Sequence, residues 1–373
     1  MTDLGSLVQE TASRLAERHV GVVVAAIAGD SVEIRGAGRT GGGYGGASGG
    51  GRDGVPGADT VFEIGSVTKV FTALLLARMA VAGTVDLDEP LVGLLPEGAR
   101  VPSRDGQEIT LRHLATHTSG LPRLPRGMFL SSLLHPSAPD PYAGCTTDVL
   151  LRGLAETGLR ATPGHRFRYS NLGAGLLGLA LAHRAGAAYE TLVAREICAP
   201  LGLADTGVTV DGERAGCLAQ GHDRRRRPVS PWHLADLVGA GGLRSTAADL
   251  VTFVRAQLDV SIGESAGESA VQVGRGTGEL IEAIRLSREV KQRINPYAWI
   301  HLGWMGQRLH PRQGAHLWIW HNGGTGGFVS FVGFDPERGV AVIVLGNTQR
   351  SVDRAGFDLL RTLETRALET ERS

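Results

Sequence analysis

Strand-like apolar runs stand at both ends of this 373-residue chain, and helical patterns fill the stretch between them. Near the start, Val20-Gly21-Val22-Val23-Val24-Ala25-Ala26-Ile27 and Ser31-Val32-Glu33-Ile34-Arg35 flank Gly29-Asp30, a hairpin signal. Near the end, Leu317-Trp318-Ile319-Trp320, the run Phe328 to Phe334 and the run Val340 to Leu345 read as strands, with Asp335 to Gly339 as a turn. Strands at both termini with helices between them imply one antiparallel sheet completed by the two chain ends. The expected class is α+β: that sheet, flanked by terminal helices near Leu4 to Arg18 and Arg350 to Glu369, with a mainly helical subdomain inserted. Residues 1–95 and 296–373 are assigned to the α/β part of a single domain and 96–295 to the inserted part. Within the insert, helices are expected at Leu111 to Thr116, Thr147 to Glu156, Gly173 to Arg184, Tyr189 to Ile197 and Glu279 to Glu289. Gly36 to Gly57, where Tyr44 is the sole aromatic, reads as a flexible glycine-rich loop, and the polar stretch Asp259 to Gly278 as a long one.

One junction in this layout carries chemistry. Thr60-Val61-Phe62-Glu63-Ile64 is strand-like, Val70 to Ala77 is a strong helix pattern, and Gly65-Ser66-Val67-Thr68-Lys69 joins them. Positions i and i+3 share a helix face, so the Lys69 amine can reach the Ser66 hydroxyl. A serine hydroxyl needs a base beside it, and a lysine becomes one when burial lowers its pKa from about 10.4. A helix start also supplies backbone N–H groups and a positive dipole end where an oxyanion forms. Taken alone, the pair also reads as an N-cap serine followed by a solvated lysine.

Two further stretches favour the chemical reading. Tyr169-Ser170-Asn171 precedes a glycine-rich apolar run, Leu172 to Gly178. A phenol relays a proton when a cation such as Lys69 stabilises its phenolate, and the Asn171 amide offers both a donor and an acceptor. Trp320-His321-Asn322-Gly323-Gly324-Thr325-Gly326-Gly327-Phe328 lies between two strand-like runs, and its glycines let backbone approach a ligand closely.

In this order the three motifs resemble the serine beta-lactamase and penicillin-binding-protein family, and most of all its class C branch with the related esterases and D-amino-acid peptidases. Leu114-Ala115-Thr116-His117-Thr118-Ser119-Gly120-Leu121-Pro122 and Gly239-Ala240-Gly241-Gly242-Leu243-Arg244-Ser245-Thr246 agree with the same branch. The resemblance implies Ser66 as acylated nucleophile, Lys69 and Tyr169 as the proton-transfer pair, and Asn171 as a group orienting Lys69 and substrate. It implies an oxyanion hole made by the N–H groups of Ser66 and Gly324, with His321 and Gly323 in the substrate-binding strand. The implied reaction is acyl transfer from an ester, amide or peptide-like small molecule, without a cofactor or a metal. In lactam-processing members the His321 position is lysine; a histidine of ordinary pKa is mostly neutral at pH 7, which tilts the substrate away from carboxylate-bearing lactams.

The remaining sequence bounds the function. Formal net charge is zero, and the one basic run, Arg224-Arg225-Arg226-Arg227, reads as a hairpin tip, so no nucleic-acid partner is expected. Cys145, Cys198 and Cys217 form neither a disulfide framework nor a zinc pattern. No apolar run reaches membrane-spanning length and Met1 to Ser6 carries no basic region, so no membrane partner and a cytoplasmic location are expected. His117 reads as structural at a helix end, Asp86, Asp88 and Glu89 as a turn, and Trp232, Trp304, Trp318 and Trp320 as either pocket lining or core. Four functions stay open. They are a serine hydrolase, a transacylase passing the Ser66 acyl group to an amine or alcohol, a true beta-lactamase or D-Ala-D-Ala carboxypeptidase, and a non-hydrolytic acylated sensor. The oligomeric state is not legible.

Overall fold

The computed structural model describes residues 3–42, 53–125, 140–210, 212–266 and 275–371. An eight-stranded sheet runs in the order β2-β1-β10-β9-β8-β7-β6-β5, with every neighbouring pair antiparallel. Its members are β1 (Gly21–Ala28), β2 (Ser31–Gly38), β5 (Gln292–Asn295), β6 (Ala298–Ile300), β7 (Met305–Arg308), β8 (Leu317–Gly324), β9 (Val329–Asp335) and β10 (Val340–Gly346). The first and last thirds of the chain meet where Val22 faces Gly346 and Ala28 faces Val340. The sheet is thus completed by both chain ends, as the strand placement requires.

Alternation along the central strands feeds two apolar layers. Val23, Ala25, Ile27, Val332, Phe334, Ala341 and Ile343 face one layer, and Val22, Val24, Ala26, Phe331, Val342 and Val344 face the other. Being buried on both faces is why β1 and β10 read as almost unbroken apolar runs. Helices α1 (Leu4–Ala16) and α6 (Asp353–Glu371) cover the second layer, where Phe357 stacks on Trp318 at 5.0 Å between centroids. Helices α2 (Thr68–Val81), α4 (Ala247–Ala266) and α5 (Arg275–Glu289) lie on the first, and α3 (Asn171–Ala185) packs beyond them. Aromatic rings join α2 to the sheet: Phe71 stacks on Phe253 at 4.2 Å, Phe253 lies 6.4 Å from Trp304, and Trp304 meets Phe334 edge-on at 5.3 Å. Trp304, Trp318 and Trp320 are therefore packing residues.

Two expectations need correction. Helix α4 continues to Ala266 and α5 starts at Arg275, so most of the stretch taken as a long loop is helical, while 267–274 lie outside the described residues. Buried Leu250, Phe253, Val254 and Leu258 keep helical spacing and no proline stops the helix. Gly36 to Gly38 belong to β2, and the next residues are pinned, Thr40 N donating to Gly54 O and Gly41 N to Asp53 Oδ1; residues 43–52, with Tyr44, lie outside the described set. Strands β5 to β7 escape sequence reading because they are short and largely only half-buried. The Arg224–Arg227 run does form a hairpin tip, with Arg226 at φ +62° and Asp223 paired to Arg227. Asp88 chelates Arg112 and Glu89 pairs with Arg184 at the turn after α2.

Because Phe253 is fully buried and stacked against the helix that carries Lys69, Phe253→Ala is expected to lower unfolding stability by about 3–5 kcal/mol. Urea denaturation reads this as a lower midpoint at unchanged slope. A loss below about 1 kcal/mol would show that the aromatic stack does not anchor α2.

Candidate active site

Local sequence forces the Ser66 turn. Short strand β3 (Phe62–Glu63) pairs with β4 (Arg244–Ser245), and Ile64 ends the extended run fully buried. Gly65 then takes φ +50°, and a β-carbon there would stand 2.6 Å from Gly324 N. Only glycine accepts both conditions without strain. The chain coils through a 3-10 turn, Gly65–Val67, directly into α2. The cap positions are Ile64 and Val67, and neither bonds through its side chain, so Ser66 is not an N-cap. Its hydroxyl is committed elsewhere.

Lys69 Nζ lies 2.9 Å from Ser66 Oγ and donates to the Ala240 carbonyl at 2.5 Å. The side chain is only 3% exposed. Burial is the largest influence on it and lowers its pKa; the charge and hydrogen bond of Tyr169 oppose this, and Arg123 adds to the lowering. Burial of this kind favours the neutral amine, which can accept a proton from Ser66. The segment bearing Ala240 is held on α2 by further bonds: Thr72 Oγ1 donates to Gly239 O at 2.7 Å and Leu243 N donates to Thr68 Oγ1 at 3.1 Å. No side-chain motif reveals the Ala240 carbonyl as a partner of Lys69; only the run Gly239-Ala240-Gly241-Gly242 hints that backbone comes close there.

Tyr169 lies beside this pair, its ring centroid 5.1 Å from Lys69 Nζ and 5.7 Å from Arg123 Cζ. On its other side stands His117, 4.4 Å between ring centroids. His117 does sit at a helix end, yet its backbone is left-handed at φ +55° and its buried ring supports Tyr169, a contact the structural reading missed. Its Nδ1 accepts from Ser170 N at 3.3 Å, which places the ring proton on Nε2. Burial, then Lys69 and His321, hold its pKa well below the ordinary value, so it stays neutral.

Strand alternation sorts the His321-Asn322-Gly323 triplet. Asn322 points away, donating from Nδ2 to Asp353 Oδ2 at 2.8 Å, while His321 faces Tyr169 with 6.3 Å between centroids. His321 is 2% exposed and its pKa is pushed down to about 3, by burial first and by Lys69 second. Its pKa is therefore far from ordinary, and the ring is neutral across the physiological range. Nδ1 donates to Asn322 O at 2.6 Å, leaving a buried Nε2 lone pair without a hydrogen-bond partner. A β-carbon on Gly323 would fall 2.1 Å from Ile64 O and 2.9 Å from Ser66 N, so strand and serine turn touch backbone to backbone. That contact brings Gly324 and Ser66 to one cleft, also lined by Asn171, Tyr142, Trp232 and Thr325.

Asn171 opens α3 behind its N-cap Ser170, whose Oγ accepts from Gly173 N at 2.9 Å. The Asn171 side chain hydrogen-bonds Tyr142, while its buried Oδ1 has no partner and is available to a ligand. The bonds of Lys69 run to Ser66, Ala240 and Tyr169, and the side chain seen beside Asn171 is Tyr142, which the sequence reading did not single out. Tyr142 packs edge-on against Trp232 at 5.2 Å, so of the four tryptophans weighed as pocket lining only Trp232 borders the cleft. All seven residues expected in the site are thus brought together around Ser66.

Comparison with known proteins places this geometry among relatives. The family model described as Beta-lactamase matches residues 8–367. The chain is 30% identical over 291 residues to the D-alanyl-D-alanine-carboxypeptidase/endopeptidase AmpH of Escherichia coli, covering 78% of this chain and 71% of that protein. It is 28% identical over 309 residues to a beta-lactamase of Pseudomonas fluorescens, covering 78% and 80%. Among solved structures, a beta-lactamase/D-alanine carboxypeptidase from Yersinia pestis, complexed with citrate, superposes with a TM-score of 0.72 at 25% identity over 98% of this chain and 100% of that one.

The neutral, buried His321 has a stability signature. Its folded-state pKa lies below the unfolded value, so its contribution is present above about pH 6.5 and is lost as pH falls towards 3. Between pH 7 and pH 5 that loss is about 2 kcal/mol. The stability gap between parent and His321→Gln is expected to narrow by about this amount over the same interval, read from urea midpoints. Parallel pH dependence in the two proteins would show that His321 is not held neutral.

Proposed function

The chain belongs to the beta-lactamase family, and from that premise we propose that it is a serine hydrolase acting through a Ser66 acyl-enzyme on a small ester, amide or peptide-like substrate. The observation that carries this reading is the buried Lys69 amine 2.9 Å from Ser66 Oγ, fixed by a single backbone carbonyl. Lys69 takes the Ser66 proton as Oγ attacks the carbonyl carbon. The developing oxyanion is received by the N–H groups of Ser66 and Gly324, an arrangement worth about 3–4 kcal/mol per donor in such sites. Tyr169, beside Lys69, passes the proton on to the leaving group, and the carbon–heteroatom bond breaks to leave the acyl-enzyme. A water molecule, deprotonated by the same Lys69–Tyr169 unit, then attacks the ester carbonyl; the bond to Ser66 Oγ breaks, that proton returns to Oγ, and the acid is released. The two groups act as one coupled acid–base pair. His117 is a positioning residue under Tyr169, and Asn171 Oδ1 and His321 Nε2 are acceptors for substrate N–H or O–H groups.

The substrate reading follows from charge. Burial keeps His117 and His321 from supplying a permanent cation inside the cleft and lowers the pKa of Lys69. This favours a neutral ester, amide or peptide over a lactam that must be held by its carboxylate. A second reading, cleavage of D-alanyl peptides, is favoured by the relative AmpH and by Arg123, whose exposed guanidinium near Tyr169 can meet a carboxylate.

A fluorophosphonate probe is expected to label the parent at Ser66 and to leave Ser66→Ala unlabelled. Lys69→Ala is expected to lower the labelling rate by about 10³-fold or more with the fold retained. Against a panel of esters, D-amino-acid amides and lactams, the expected order places lactams last in kcat/KM, and products formed with an added amine divide hydrolysis from transacylation. Equal labelling of parent and Ser66→Ala would remove the assignment of Ser66. Lactam turnover above about 10⁶ M⁻¹s⁻¹ would overturn the charge argument.

A further inference from the structure

A second group of titratable side chains lies on the opposite face of the sheet, under α6. Asp335 ends β9, Glu364 projects from α6, and His316 immediately precedes β8; the two carboxylates are fully buried and His316 is 6% exposed. Each carboxylate has one oxygen tied down. Asp335 Oδ1 accepts from Glu337 N at 2.8 Å and Arg338 N at 3.2 Å, and Glu364 Oε1 accepts from Trp318 Nε1 at 2.5 Å. The other two oxygens, Asp335 Oδ2 and Glu364 Oε2, are buried without an N–H donor and face each other. Two carboxylates so placed cannot both stay ionised in a dry interior, so a single proton sits between them when no cation does.

His316 Nδ1 completes the group, 3.7 Å from Asp335 Oδ2 and 3.6 Å from Glu364 Oε2, with all three atoms within 4.8 Å of one another. These separations are too long for hydrogen bonds. They are close to the edge of a tetrahedron whose corners lie about 2.1 Å from a metal, which is about 3.4 Å. We propose that His316 Nδ1, Asp335 Oδ2 and Glu364 Oε2 form a structural site for a divalent transition metal, with Zn²⁺ as the fitting ion and water as the fourth ligand. One imidazole with two carboxylates suits zinc better than calcium or magnesium, which take oxygen ligands alone. The bonds from Trp318 and from the Glu337 and Arg338 amides are the outer contacts that orient such ligands. Binding exchanges the shared proton for the ion, and the two negative charges then match the metal's two positive ones. The ion would clamp the start of β8, the end of β9 and α6 together, behind the strand that carries His321 to Gly324. This site is independent of the reaction at Ser66.

The test uses the full chain without an affinity tag, stripped with EDTA, dialysed, and incubated with zinc chloride or magnesium chloride. The expected result is one equivalent of zinc retained per chain by elemental analysis, a rise in Tm of about 3 °C at zinc a hundredfold above its Kd, and no rise with magnesium. Glu364→Gln keeps a donor towards Asp335 and an acceptor for Trp318, so its metal-free Tm is expected to stay near the parent value while both retained zinc and the shift disappear. His316→Ala is expected to lose them as well. Absence of retained zinc in the parent, or equal retention in Glu364→Gln, would overturn the proposal.

Discussion

The backbone contact between Gly323 and the turn at Ile64 to Ser66 is the constraint on which the rest of the site depends. No side chain fits on either side of it: Gly65 would collide with Gly324 N, and Gly323 with Ile64 O. Ser330 Oγ, one strand over on β9, closes the same junction by donating to Ile64 O at 2.7 Å. With this contact in place, the start of α2 lies against β8, and the two N–H groups assigned to the oxyanion come from different elements held at van der Waals distance. The aromatic stack behind α2 and the doubly covered sheet keep both elements from moving apart.

Burial then does the electrostatic work. Lys69, His117 and His321 are each 2–3% exposed, and for all three desolvation is the first cause of a lowered pKa. The consequence is a site that presents buried lone pairs at Asn171 Oδ1 and His321 Nε2, beside a Lys69 amine that gives up its proton more readily than one in water. That is suitable for taking a proton from Ser66 and for holding an uncharged substrate. Glu63, beneath the site, is raised to about 6 by burial even with Arg244 beside it.

Much of this was legible in the sequence because it is carried by side chains at fixed periods. The sheet followed from apolar runs at both ends, and Ser66 with Lys69 followed from an i, i+3 spacing at a strand-to-helix junction. Contributions made by backbone or by distant packing were not legible. The Ala240 carbonyl that holds Lys69 has no side-chain signature, the Tyr142–Asn171 bond joins residues 29 apart through tertiary structure, and the His117–Tyr169 contact needs a left-handed residue between helix and loop. One compositional signal does point to the base. Of the 38 lysine and arginine residues, only Lys69 and Lys291 are lysines. Arginine stays protonated in proteins, so position 69 needs the one cationic side chain that gives up its proton readily.

The same composition makes the central claim directly measurable. Isotopic labelling of lysine gives two Nζ signals, one from Lys69 and one from Lys291, which Lys69→Met assigns, and their chemical shifts can be followed with pH. The expected result is a Lys69 amine that titrates well below the ordinary value of about 10.4, with the chain folded throughout. Titration of Lys69 at about 10.4, as for an amine in water, would contradict the account, because no neutral base would then stand beside Ser66.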